Sequence, residues 1–442
     1  MSKKIRDYLF YFFIFFFITG TVLISFYASG YEFNLSWPLK FNRLIIKTGM
    51  IAVDTIPSGA VIYLNDRPQA NFSLNPFKKE YLTTAAKVKN VLPGEYDLRL
   101  KRAGYWPFHK KINVYSGQTT FAEDINLFRD DQPLLVTADG ETEVQLSASR
   151  KYLYLPAAKK IITLKNGEAR IILADKTGSS WLKNDDKLLS GGNIYGISAG
   201  GDSEYGRLIG TEADNWYLEE DNGRLYYRNN NSLGYLKLSN KTSVLATSGE
   251  TYITYEPRGE NLFFVASDSG RVSVKKYSFS SQEIESELNL PAVGQYEFHR
   301  DEVSSLILYD NLNKTLYILN PDNISSGGQT IKNINGWQWL DENTLLYNNT
   351  WEIYRFNLQT GSSDLLTRVG EEITKIIWNG DGGYLIFSTA NSLNVLDTKM
   401  NAATKIFQTD KISGATLDEK NNILYFWAQI GQGLGVYKMI LQ

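Results

Sequence analysis

The chain has 442 residues, with 46 basic and 48 acidic side chains, 43% hydrophobic residues and no cysteine. That length accommodates two or three domains of about 100–200 residues each, and the near-balanced charge excludes an overall basic nucleic-acid binder. Without cysteine there is no disulfide framework, thiolate metal site or cysteine nucleophile. The only two histidines, His109 and His299, leave little for histidine-based metal or acid–base chemistry.

From Tyr8 to Ala28 the chain reads YLFYFFIFFFITGTVLISFYA, without a charge. As a helix these residues extend about 31 Å, against a hydrocarbon core of about 30 Å. Lys3, Lys4 and Arg6 precede the run, which favours a cytoplasmic N-terminus and export of everything after it. Tyr8, Tyr11, Tyr27 and Tyr31 sit near its ends, where amphipathic rings prefer the headgroup level. The competing account is a cleaved signal peptide with Ala28 and Gly30 at the cut, but signal cores run about 7–15 residues. Residues 1–30 therefore read as a cytoplasmic stub and uncleaved signal anchor, with residues 8–28 spanning the lipid bilayer.

Residues 31–49 form a membrane-proximal linker broken by Pro38. Over 50–128 the pattern changes to short strand-like runs separated by Pro57-Ser58-Gly59, Pro93-Gly94 and Ser116-Gly117. Leu98 and Leu100 alternate with Arg99 and Lys101, the mark of a strand with one face buried, and a small β-sandwich follows. The stretches IAVDTIPSGAVIYLND and NVLPGEYDLRLKRAGYWPFHKKINVYSG resemble a PEGA domain. Pro57, Gly59 and Ala60 match its turn with Ser58 in place of Glu, and Pro93-Gly94-Glu95-Tyr96 and Gly104-Tyr105 match its later hairpin and Gly-Tyr pair. The resemblance implies a surface or envelope protein and no catalytic residues in this segment. His109, between Phe108 and Lys110, shows no partner for base work and reads as a surface strand residue.

Residues 130–442 show no amphipathic helical period and instead repeat. Comparable first strands begin near Glu143, Ser180, Asn215, Tyr252, Val293, Gly336, Lys375 and Ser413, spaced roughly 35–43 residues apart, the length of a four-stranded propeller blade. The second strands, such as LFFV (262–265), LILY (306–309), YLIF (384–387) and ILYF (423–426), are continuous apolar runs. A strand buried on both faces has that pattern; a two-layer sandwich would leave one face wet. The last unit shows three strands, and Pro133 to Thr137 is the expected fourth, closing the ring from the other end of the repeat region. Eight blades result, alternatively seven if the glycine-rich unit at 180–212 is not one. The polar turn after each first strand, for example NGDGG (379–383), resembles that of Tol-type and WD-repeat-like propellers. That resemblance implies architecture only. The fold class is thus all-β: a transmembrane helix, a PEGA-like sandwich over 50–128 and a β-propeller over 130–442.

Catalytic candidates are few. Gly196-Ile197-Ser198-Ala199-Gly200 matches the nucleophile-elbow spacing, yet no helical period follows it and His299 would have to be its base from an inter-strand turn. A glycine-rich hairpin is the simpler account. Asp185-Asp186, Glu219-Glu220-Asp221 and Asp301-Glu302 lack calcium-loop spacing and read as solvated turns. The sequons at Asn71 and Asn348 are no more than chance provides. Among Trp337, Trp339, Trp351, Trp378 and Trp427, Trp378 falls on an innermost strand and reads as packing, whereas Trp351, near a turn, is the candidate binding-surface aromatic. No catalytic residue, cofactor or metal is expected. The predicted function is a membrane-anchored, extracytoplasmic binding or scaffold protein of the cell envelope, its propeller presenting loops to a protein or glycan partner. An exported propeller enzyme acting on envelope carbohydrate or peptide, or an envelope-assembly factor, is the alternative.

Overall fold

The computed structural model describes residues 3–33, 45–70, 80–140, 143–171, 179–182, 187–197, 203–204, 213, 215–229 and 231–442. Asn71, Asp185, Asp186 and Ser198, with the rest of the elbow-like motif after Ile197, lie outside them. The chain divides into two compact units, one of Met1–Asp131 with Asp397–Ile406 and Gln442, the other of Gln132–Leu396 with Phe407–Leu441.

The first unit opens with the helix Lys3–Ala28. Its side chains from Tyr8 to Ile18 are apolar around the whole circumference and exposed, Phe10 by 60% and Phe17 by 74%. With no polar face to turn towards water, such a helix is long and apolar enough to cross a membrane. Directly after it, strand Tyr31–Phe33 pairs antiparallel with Ile45–Lys47, and the backbone N–H and hydroxyl of Thr48 both donate to the carbonyl of Gly30 at 2.7 Å. The described residues at the two ends of the stretch read as a linker thus pair with each other.

Two sheets then face one another. One has the order Ala86–Val91, Gly49–Ile56, Thr119–Asn126; the other has Arg67–Pro68, Val61–Leu64, Gly94–Lys101, Phe108–Val114. Ile51, Val53, Ile62, Leu98, Leu100 and Ile125 fill the space between them. Leu98 and Leu100 are fully buried while Lys101 is exposed, as their alternation requires. The Pro57-Ser58-Gly59-Ala60 turn needs no acid at its second position. Gly59 takes φ +94°, and the buried hydroxyl of Thr84 accepts from the N–H groups of Gly59 and Ala60 at 3.1 and 3.0 Å. Arg102 donates to the Ser58 carbonyl. His109 does have a partner: Asp97, on the adjoining strand, faces its Nε2.

From Leu134 onward the described residues form a closed ring of eight four-stranded sheets. Their innermost strands are Gln145–Leu146, Ser180–Trp181, Asn215–Glu219, Thr251–Arg258, Tyr296–His299, Gly336–Asp341, Lys375–Asn379 and Lys411–Asp418, here blades 1 to 8. Each lies within a few residues of its predicted start. Blade 2 is complete, with Ser180–Trp181, Lys187–Ser190, Asn193–Gly196 and Ser203–Glu204, so eight replaces seven. Leu134–Thr137 pairs with Gly433–Ile440 as the outermost strand of blade 8, Leu134 opposite Lys438 and Leu135 opposite Tyr437. The ring is closed by strand pairing between its two ends, and the raw edge of blade 8 disappears.

The continuous apolar runs obey a strict alternation. In the second strand of blade 4, Asn261–Asp268, Leu262, Phe264 and Ala266 join a cluster with Tyr226, Leu233 and Tyr235 of blade 3. Phe263 and Val265 join one with Phe298, Leu306 and Leu308 of blade 5. In blade 5, Ile307 and Tyr309 turn instead to Leu345 and Tyr347 of blade 6. Every second residue thus belongs to one neighbour and the rest to the other. Truncating such a residue leaves a cavity between two blades: Phe264→Ala should cost about 3–5 kcal/mol, read as a lowered denaturation midpoint of the full chain in detergent.

Candidate functional site

The innermost strands of a propeller line its axis. A cavity of about 490 Å³ is lined there by Glu297, His299 and Asp301 of blade 5, Trp337 and Gln338 of blade 6, Lys375 of blade 7, and Glu143 at the entry to blade 1. Its volume lies within the range of small-ligand sites, about 300–1,000 Å³. Three carboxylates and one ammonium line it, together with the amides of Asn311, Asn335 and Asn348.

The arrangement of Asp301 differs from the solvated turn expected for it. Trp337 and Trp339 alternate along the inner strand of blade 6, so their side chains project to the same side. Both indole N–H groups donate to one oxygen, Asp301 Oδ2, each at 2.7 Å. The carboxylate crosses from blade 5 to hold both rings. The indole of Trp337 packs against His299 with centroids 4.7 Å apart and against Tyr309 at 5.0 Å, and the Tyr309 hydroxyl donates to the Ile334 carbonyl at 2.7 Å. His299 thus closes the inner strand of blade 5 within the channel wall, rather than sitting in a free turn.

Burial dominates the electrostatics. His299 Nε2 is buried with no hydrogen-bond partner, and desolvation holds the imidazole below its ordinary pKa of 6.5, outweighing the opposing pull of Glu297 and Asp301. Arg300 reinforces the downward shift. Desolvation likewise lowers the Lys375 ammonium, with Glu143 opposing it. Glu297 Oε2 accepts from Asn311 Nδ2 at 3.4 Å. Among the described residues, no group of three His, Cys, Asp or Glu is placed to hold a metal ion.

Neighbouring blades are tied by their turns. Arg258 of blade 4 donates to the carbonyls of Ser304 and Ser305 in blade 5 at 2.7 and 2.9 Å. Glu342 of blade 6 accepts from the Ser304 N–H and hydroxyl at 2.8 and 2.7 Å, and Glu219 of blade 3 accepts from the Gly259 N–H of blade 4 at 3.3 Å. Turn carboxylates that sequence alone leaves as surface charge are ties between blades.

Trp351 lies between the second and third strands of blade 6, 56% exposed. Asn349 Oδ1 accepts from the N–H groups of Trp351 and Glu352 at 2.9 and 2.8 Å, and the Trp351 carbonyl accepts from Val369 at 2.8 Å. This turn leaves the strand that ends at the cavity-lining Asn348. The corresponding turn of blade 5 leaves Asn311 and exposes Leu312 by 58%; Val293, before the inner strand of blade 5, is exposed by 73%. Trp378, by contrast, packs among the side chains between blades 6 and 7.

Residues 48–125 match the PEGA domain family. The first unit's sandwich is a PEGA domain. A stretch of 113 residues, 24% of the chain, is 26% identical to the human proto-oncogene tyrosine-protein kinase ROS. It covers 5% of that protein's length, too little to transfer its activity. Solved propellers are similar at low identity. The Dos1 propeller is 12% identical with a TM-score of 0.48, over 70% of this chain and 94% of that one. An oligogalacturonate lyase in complex with manganese is 11% identical with a TM-score of 0.40, over 68% and 88%. Kluyveromyces lactis Hsv2 is 12% identical with a TM-score of 0.35, over 48% and 70%. The propeller fold rests on the strand pairing above and not on these likenesses.

Two outcomes are expected of the site. Asp301→Leu leaves two indole N–H groups without an acceptor, costing about 2–4 kcal/mol and shifting the tryptophan fluorescence of the native protein. His299 resists protonation only when folded, so below pH 6.5 the unfolded chain binds a proton that the native one refuses, and stability falls as the solution is acidified. His299→Gln should reduce the drop in denaturation midpoint between pH 7.5 and 5.5 relative to wild type.

Proposed function

We propose that the chain is a single-pass, membrane-anchored extracytoplasmic binding and scaffold protein of the cell envelope. The apolar helix is its uncleaved anchor, with the N-terminus cytoplasmic and the PEGA domain and propeller outside. The propeller meets a protein or glycan partner at the mouth of its axial cavity. The observation that carries this reading is Trp351, a large exposed aromatic whose backbone is pinned on both sides of the turn. A rigid exposed Trp loses little conformational entropy on binding, and such residues dominate interface energies. Leu312 and Val293 extend the apolar rim on blade 5, and the amides behind them offer hydrogen bonds to a polar ligand.

The alternative of an exported enzyme acting on envelope carbohydrate or peptide draws on the same cavity, where His299 and Lys375 both have lowered pKa values. Against it, the acids there are engaged. Asp301 is occupied by two indoles, Glu297 accepts from Asn311, and Glu143 faces the charge of Lys375. Binding is the better-supported role.

Two measurements test the reading. Protease added to sealed cells should digest the propeller, whereas inside-out vesicles should protect it; the reverse pattern refutes the orientation. A photo-crosslinking residue at position 351 of the membrane-embedded protein should capture one discrete species, and Trp351→Ala should weaken that association by about 2 kcal/mol or more without altering thermal unfolding. Diffuse labelling, or capture by a control residue on the opposite face alone, would remove the rim from consideration.

A further inference from the structure

The outermost strands of the blades are not alike. An outer strand exposes a row of unpaired N–H and C=O groups, and proteins blunt such edges by shortening them or placing charge on them. In blades 5 and 8 the outer strands are short: Gln329–Lys332 and Leu134–Thr137. In blades 4, 6 and 7 they are long but charged. Glu283–Leu290 carries three Glu, Ser362–Arg368 carries Asp364 and Arg368, and Ala402–Gln408 carries Lys405. Blade 3 breaks the pattern. Its outer strand Thr242–Ser248, TSVLATS, has seven residues and neither charge nor proline. It is last in its sheet, and among the described residues no strand pairs with its outer side.

Beside this edge runs a groove of about 580 Å³ between blades 3 and 4, lined by Val244, Leu245 and Ala246 on one side and Tyr277, Phe279 and Ile284 on the other. Leu245 is 59% exposed and Ile284 46%. Glu283 also lines the groove. Its strand-mates Glu285 and Glu287 lie 3.2 Å from Lys276 and 3.9 Å from Lys275, whereas Glu283 has no ion pair among the described residues.

We infer that the edge of blade 3 is a strand-addition site for an extended segment of another protein. That segment pairs its backbone with Thr242–Ser248 as a fifth strand, lays alternate apolar side chains into the groove and brings one Lys or Arg to Glu283. Only an extended chain matches a row of alternating backbone donors and acceptors, and pockets for every second side chain select its sequence. The carboxylate of Glu283, without an ion pair among the described residues, selects the sign of its charge. This site is separate from the axial cavity and does not depend on the function proposed for it.

The test is selection of a phage-displayed random dodecapeptide library on the full chain in nanodiscs. The enriched peptides should alternate β-branched or aromatic residues with polar ones and carry a Lys or Arg. A synthetic copy of an enriched peptide should bind about tenfold or more weakly to Leu245→Lys, which places a gatekeeper charge on the edge, and about threefold or more weakly to Glu283→Gln. It should lose binding to wild type when alternate backbone nitrogens are methylated. Thermal unfolding of both variants should match wild type; if Leu245→Lys is destabilised, Thr247→Lys replaces it. Failure to enrich any alternating sequence overturns the inference, as does binding unchanged by the edge charge or by backbone methylation. A dimer of the full chain that Leu245→Lys dissociates would also overturn it, by assigning the edge to a second copy.

Discussion

The propeller depends on one constraint: the middle strands of every blade have no wet face. A strand such as Asn261–Asp268 sends Phe264 to one neighbour and Phe263 to the other, and both rings are buried. No single blade satisfies this alone, because each sheet would then expose an apolar surface on both sides. The blades are stable only as an uninterrupted circle, which gives the pairing of Leu134–Thr137 with Gly433–Ile440 its importance. It converts a row of sheets with two apolar ends into a ring with none.

The same geometry makes the axis the natural place for polar chemistry. Inner strands have one edge facing the channel instead of another strand, and there they carry Glu297, Gln338 and Lys375. These polar groups are still partly desolvated, which explains the shifts at His299 and Lys375 and the need to satisfy two indole N–H groups with one carboxylate. The rim and the axis therefore differ in kind. Turns at the rim display Trp351 and Leu312, whereas the channel holds its side chains by contacts between blades.

At the other end of the chain the physics is simpler. The helix Lys3–Ala28 is apolar on all sides, and the hairpin of Tyr31–Phe33 with Ile45–Lys47 follows it directly. The PEGA domain begins at once on the strand Gly49–Ile56, whose parallel pairing with Thr119–Asn126 brings the start and end of the sandwich side by side. Its turn at Pro57–Ala60 survives the loss of the family's Glu because Gly59 and the Thr84 hydroxyl set the geometry.

Periodicity alone determined the apolar helix, a repeat of seven or eight units and the burial of their middle strands, because each depends on the order of apolar and polar residues along a local stretch. The Gly-Tyr and Pro-Gly pairs of the PEGA domain were legible for the same reason, as was the exposure of Trp351 beside a turn. What depended on residues far apart in sequence could only come from the folded ring. Asp301 reads as one more turn acid, and nothing nearby shows that Trp337 and Trp339, on the next blade, will share its oxygen, although their spacing of two marks them as facing the same way. Asp97 as the partner of His109, Glu143 across the channel from Lys375, and the uncharged edge of blade 3 against Ile284 of blade 4 are of the same kind. Local pattern decides what a strand buries; only closure of the ring decides which neighbour it buries it against.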